Sequence, residues 1–365
     1  MNEYAFRAEG IAAKLDLAVG HIADLAIERD GRLLRPLHRA SWADGPRDRL
    51  PPDLSAGVAR LSGDFLCAPF SRSDIEEAPL HGWTANSAWE PVSDDAVEGG
   101  RQVRFRLLRK VMGATVDKVL TLRDHHPFLY EEHVFTGGSG SISAACHPMT
   151  EMRDGGWLAF SPKRLAATPE TAPEPDPGRG KSMLAYPARS EDLGRFPTAA
   201  GGTVDLAEFR ADLRHEDFIT LVEAAHGGIG WTAAARRAEA DVVLVMKNPM
   251  ELPVTMLWIS NGGRYYSPWN GRHGVIGMED GRTAVGHAAS LGDNWLRREG
   301  VATAFELGGR FAFRHVVGAI PSHGGDAPVS VSAADGTLRV EFADGAQELV
   351  AFDDKFLRIG QSPLN

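Results

Sequence analysis

The feature that most narrows the fold is a rhythm. Short runs rich in β-branched and aromatic residues recur along the chain, each closed by a Gly- or Asp-containing turn, and helical periodicity is scarce. Asp30-Gly31, Asp335-Gly336 and Asp344-Gly345 each separate two apolar runs, and Asp-Gly is a dipeptide that tight hairpins favour. Strand-like runs are read at 21–28, 33–37, 102–108, 115–122, 128–135, 242–246, 254–259, 329–333, 337–342 and 348–352. Only 206–213 and 229–237 offer a short helical pattern. Many strands, many turns and few helices predict an all-β chain built as a large antiparallel sandwich.

At 365 residues the chain is long for one domain, but large all-β units run to about 250 residues or more in one piece. A single domain over 1–365 is expected, since the strands on both sides of the one compositional break look alike. That break is 162–201, where Thr168-Pro169-Glu170-Thr171-Ala172-Pro173-Glu174-Pro175-Asp176-Pro177 precedes Gly178 and Gly180. Its Pro/Gly-rich composition predicts a surface insertion. Apolar residues make up 43% of the chain, ample for a core, and the net charge of −10 argues against nucleic acid or an anionic membrane as partner. Two cysteines, Cys67 and Cys146, make no disulfide framework. The mixed, charged start lacks a secretory pattern, and no apolar run approaches the ~18 residues of a membrane span. A cytoplasmic protein, monomer or homodimer, is the expectation.

Three stretches concentrate chemistry. The first, 257–282, passes from a strand through Ser260-Asn261-Gly262-Gly263 into Tyr265, Tyr266, Trp269, Asn270, Arg272 and His273, then through Val275-Ile276-Gly277-Met278 to Glu279. A carboxylate closing an apolar step is either a strand-end group facing water or a functional one. Neighbouring Trp, Tyr, Asn, Arg and His favour the functional reading, because flat apolar faces and forked donors suit a sugar. The second, 63–89, reads as an irregular loop carrying Arg72, Asp74, His81, Trp83, Asn86 and Trp89. The third, 141–152, carries His147, which Pro148 biases toward an extended backbone. Histidine is suited to moving a proton near neutral pH. A Cys146–His147 nucleophile is disfavoured, since adjacent strand residues point to opposite faces.

Further polar candidates are His215, Glu216, Asp217, His226, His273 and His287. His125, His126 and His133 lie in no metal-ligand spacing, so no metal is expected. No dinucleotide or phosphate-loop fingerprint and no G-x-S-x-G elbow appears, and no cofactor is expected.

The three stretches, in this order, resemble the aldose 1-epimerase (galactose mutarotase-like) family over roughly 8–358. Leu80-His81-Gly82-Trp83 matches its first histidine motif, His147-Pro148-Met149 its second, and Gly277-Met278-Glu279-Asp280 its glutamate motif; Gly20-His21-Ile22 looks like its opening strands. The resemblance implies a β-supersandwich and interconversion of the α and β anomers of a free monosaccharide. It implies Glu279 as general base and His147 as general acid, with His81 at the ring end of the sugar. Arg72 would stand for the family's sugar-binding arginine and Asp217 for its hydroxyl-gripping aspartate. Asn86, Trp83 and Trp269 complete the expected substrate contacts, with Trp89 or Tyr265 as further stacking faces. The chain departs from the pattern in having Asp280 after Glu279, and Trp83-Thr84-Ala85-Asn86 where the hexose-6-phosphate branch carries an arginine. A carbohydrate-binding or sugar-sensing protein is the main alternative, and a polysaccharide-cleaving enzyme a third.

Overall fold

The computed structural model describes residues 3–224, 227–322 and 325–358. Two large antiparallel sheets face each other. The first runs, in spatial order, Glu208–Phe209, Gly156–Phe160, Gly230–Arg236, Asp241–Lys247, Arg310–Pro321, Phe128–Gly137, Ala114–Arg123, Gly100–Leu107 and Trp89–Val97. The second runs Arg189–Ser190, Lys163–Ala167, His215–Glu223, Val254–Asn261, Val275–Arg282, Ala144–Cys146 and Leu66–Cys67. Met149–Glu151 also pairs with Val275–Arg282. A four-stranded N-terminal sheet (Glu3–Ala8, Ile11–Asp16, His21–Arg29, Arg32–Leu34) and a three-stranded C-terminal one (Pro328–Ala334, Thr337–Phe342, Gln347–Ala351) flank the pair. This is the sandwich that the strand-and-turn rhythm predicts. Among the described residues no helix is long and apolar enough to cross a membrane.

Alternation along the strands sorts the side chains into three apolar layers. Ile219, Leu257, Ile259, Ile276 and Met278 of the second sheet meet Leu158, Val243, Val245 and Val317 of the first in the sandwich interior. The outer face of the first sheet (Tyr130, Trp231, Leu244, Met246) packs under Val331, Leu338 and Val350 of the C-terminal sheet. The outer face of the second sheet carries Met256, Trp258 and Met149, covered by Trp42, Leu61, Phe65 and Phe70 from loops. The candidate site lies on that loop-covered face.

Two sequence expectations are corrected. Neither 206–213 nor 229–237 is helical: the former holds the short strand Glu208–Phe209, the latter the strand Gly230–Arg236. Ala233, Ala234 and Ala235 read as helix formers, but Ala234 packs into the interior and Ala233 and Ala235 into the outer layer. Burial on both faces overrides propensity. Nor is 162–201 purely a surface excursion. Lys163–Ala167 pairs with His215–Glu223, and Leu184 and Phe196 are buried. The few apolar residues spaced among its prolines suffice to anchor it.

Candidate active site

The site is built on one ladder. Cys146 is registered with Asp280 and Met149 with Gly277, both on Val275–Arg282. The same register carried across the His147-Pro148 step sets His147 opposite Glu279, and the Met278 N–H donates to the Pro148 carbonyl at 2.9 Å. His147 Nε2 and Glu279 Oε1 are 3.1 Å apart, with both side chains almost wholly buried. Proline cannot continue the ladder with an N–H of its own, which explains why the strand breaks at this step while its register persists. Gly277 keeps the neighbouring position open: a Cβ there would lie 3.2 Å from His147 Cε1 and 3.4 Å from Trp258.

Both groups sit on the wall of a cavity of about 290 Å³, near the lower end of small-molecule sites, about 300 Å³ and upward. His81, Arg264, Trp258, Trp269 and Phe218 share that wall, with Pro169, Thr171, Ala172 and Pro173 contributed by the 162–201 stretch. Phe65 is a common plate: His147 stacks on it at 4.5 Å between centroids, and His81 tilts against it at 5.2 Å. His81 meets His147 edge to face at 5.3 Å. His81 and Gly82 take φ of 71° and 73°. A Cβ on Gly82 would stand 2.4 Å from the Ala68 backbone, so only glycine lets this loop close against it.

Burial sets the protonation of the pair. It pushes the Glu279 carboxyl well above the ordinary carboxylate range, with the charge of Asp64 adding to the effect. It pushes His147 down to about 4 and His81 well below the usual imidazole value, where the neighbouring His147 and His21 add to the effect. The His147–Glu279 pair therefore favours its neutral form, one proton on the carboxyl, and transfer across the 3.1 Å contact gives the ionic form.

Of the residues that the sequence singled out, Glu279, His147, His81 and Trp269 come together on the cavity wall. Arg72 does not join them; its side chain is exposed, and its carbonyl accepts from the His287 N–H at 3.4 Å. Asn86 serves the backbone: its Nδ2 donates to the Leu80 and Gly82 carbonyls at 2.8 and 2.7 Å, and its Oδ1 accepts from the Gly57 N–H at 2.7 Å. It shapes the His81 loop from behind. Trp83 lies under the Arg109 guanidinium, 3.4 Å from its ring centroid, and donates to the Glu77 carbonyl. Asp217 faces the sandwich interior, where it accepts from the Tyr186 hydroxyl at 2.8 Å and from the Met183 and Leu184 N–H groups, with His215 Nδ1 at 2.6 Å. Alternation explains this, since position 217 shares its face with the core residues Ile219 and Leu221. Trp89 is a core residue and Tyr265 is half exposed. His226 lies outside the described residues.

Sequence reading passes over Arg264 and names Glu216 only among the further polar candidates, with Asp217 preferred to it. Glu216, one step from Asp217 and on the opposite face, accepts from Trp258 Nε1 at 2.6 Å and lies 3.3 Å from Arg264 Nε. The Arg264 guanidinium lies over the Trp269 ring, 4.7 Å from its centroid. Parity with Trp258 across the ladder was the available signal. His81 Nδ1, Trp269 Nε1 and Glu216 Oε2 are buried without hydrogen-bond partners. Such groups generally find partners; His81 and Trp269 line the cavity, so their nitrogens are able to meet ligand hydroxyls, while Glu216 lies behind the wall.

No protein-family profile matches the sequence, and no curated protein matches it. Solved structures do. A galactose mutarotase-like protein from Lactobacillus casei ATCC 334 aligns with a TM-score of 0.55 at 11% identity, over 87% of this chain and 100% of that one. One from Clostridium acetobutylicum aligns at 0.56 and 10% identity, over 87% and 94%. A TPR-domain containing protein from Parabacteroides distasonis ATCC 8503 aligns at 0.58 and 10% identity, over 88% of this chain and 47% of that one. At these identities the likeness concerns architecture: the chain has the galactose mutarotase-like β-supersandwich fold.

Proposed function

We propose that the chain is an aldose 1-epimerase, interconverting the anomers of a free monosaccharide by general acid–base catalysis. One observation carries the reading: a buried carboxyl and an imidazole, 3.1 Å apart on a single cross-strand pair, stand on the wall of a cavity of small-molecule size. The two oxygens that exchange protons in a hemiacetal hang on the same carbon, so the carriers must also be neighbours. Glu279, in its ionised form, takes the proton of the C1 hydroxyl while His147 delivers one to the ring oxygen. The ring opens, the aldehyde turns about C1–C2, and closure on the other face reverses both transfers. The open-chain stage then holds the neutral pair, the form that burial favours. His81, Arg264 and the Trp269 indole N–H bind hydroxyls, and the Trp258 and Trp269 faces take ring C–H surface.

The competing reading, a carbohydrate-binding protein, draws on the TPR-domain containing protein, because the fold also occurs as part of a longer chain with a different name. Exchange NMR or polarimetry on a panel of aldoses separates the two. Acceleration of anomer exchange is expected. Saturable sugar binding with no acceleration would leave the binding protein instead.

A further inference from the structure

The mechanism leaves unused a row of ionisable side chains buried directly behind the proton-carrying pair. On the inner face of the first sheet, Lys247 is registered with His315, and His315 with Glu131. Lys118 stands one strand further along, fully buried, with its Nζ donating to the Gly20 carbonyl at 2.7 Å. Facing this row are Asp280 and Glu223 of the second sheet and Asp64 of the loop before Leu66–Cys67. Lys247 Nζ lies 2.8 Å from Asp280 Oδ1 and 3.0 Å from Glu223 Oε1. His315 bridges Asp280, at 3.2 Å from Nε2, and Asp64, at 3.5 Å from Nδ1. Asp64 is wholly buried, and its Oδ1 accepts the backbone N–H of His147 at 2.9 Å.

The row thus touches both proton carriers from behind. At one end Asp64 holds His147 by its backbone; at the other, Asp280 is the chain neighbour of Glu279 on the opposite face of the same strand. We propose that Asp64 is a positioning residue for the pair, fixing the His147 backbone and coupling it through His315 to Asp280 beneath Glu279, so that one buried ionic row holds both carriers in register. This rests on the acid–base reading of the site.

The groups facing Asp64 are Glu131, Lys118, His315 and the thiols of Cys67 and Cys146, with His133 behind Glu131 at 3.7 Å. Ligating atoms of Asp64, Glu131 and His315 lie within 4.8 Å of one another, a spacing that a cation could use. Charge decides otherwise. The carboxylates of Asp64, Glu131, Asp280 and Glu223 face the ammonium groups of Lys118, Lys163 and Lys247, and a single proton shared within the trio makes the row neutral. A divalent ion would overfill it, beside a lysine already in place. Asp64 also carries the charge that acts to raise both Glu279 and His147.

The test separates anchor from charge. Asp64→Asn keeps an oxygen for the His147 N–H and removes the charge; both limbs of the pH–rate profile should move to lower pH, by about one unit for a neighbouring charge. His315→Gln leaves Asp64 and Asp280 less neutralised and should move the profile the other way. A residue with only a structural role would lower thermal stability and leave the profile in place, and that result would overturn the proposal. So would a stoichiometric divalent metal in the wild-type protein that is lost in Asp64→Asn, a measurement that needs no active variant. A wild-type protein that accelerates no sugar would instead sink the epimerase reading, which keeps the two failures distinct.

Discussion

Glu279 and Asp280 are consecutive carboxylates on one strand, and the fold treats them oppositely. Glu279 faces the cavity among Met256, Trp258 and His147; among the described residues no lysine or arginine offsets its burial, which pushes the carboxyl well above the ordinary carboxylate range. Asp280 faces the interior, where it accepts from the Thr255 hydroxyl at 2.7 Å, and the Lys247 ammonium and His315 hold it far below the ordinary carboxylate range despite equal burial. Desolvation acts on both, and a buried cation reverses its outcome for only one. Environment rather than residue type makes one a proton carrier and the other a strut.

Glu279→Gln should lower the rate of anomer exchange by about 10²–10⁴-fold, the usual contribution of a positioned acid or base, and leave the denaturation midpoint almost unchanged. Asp280→Ala should weigh mainly on stability: it leaves Lys247 with Glu223 as its one carboxylate and takes from His315 its Asp280 partner, and is expected to cost about 3–5 kcal/mol of folding stability in a denaturant titration. If the two variants gave the same balance of lost rate and lost stability, the division of labour would be wrong.

A third measurement is the pH–rate profile. The pair works with one proton, so the rate should fall below about pH 4, where His147 also gains one. It should fall again above the raised value of Glu279, where the pair loses its last proton. Each limb should change about tenfold per pH unit, and a carboxylate-like limb with no upper partner would contradict the coupling. The smallest effect is expected from Trp269→Leu. Loss of a stacking face and one N–H donor should raise KM by about tenfold, near 1.4 kcal/mol, with kcat little changed.

Much of the site was legible because two of its parts are local in sequence. His147-Pro148 carries its own backbone bias, and Glu279 ends an apolar step whose strand character is plain. Asp217 against Glu216 could not be resolved, because a one-residue change of register exchanges the faces of every side chain. Arg72 was drawn in by proximity along the chain, yet its loop turns the side chain to solvent. The role of 169–173 was equally hidden: composition identifies a Pro-rich stretch but not the cavity it walls.

Residue order alone determined the all-β class and the approximate places of ten of the strands, because turn chemistry and period-two burial are local properties written into neighbouring residues. The tertiary structure alone decided which carboxylate meets His147, which one vanishes into an ionic row, and that Arg264 stands where Arg72 does not. Those outcomes depend on register between strands far apart in the chain and on the dielectric that their packing creates, and neither exists until the two sheets close on each other.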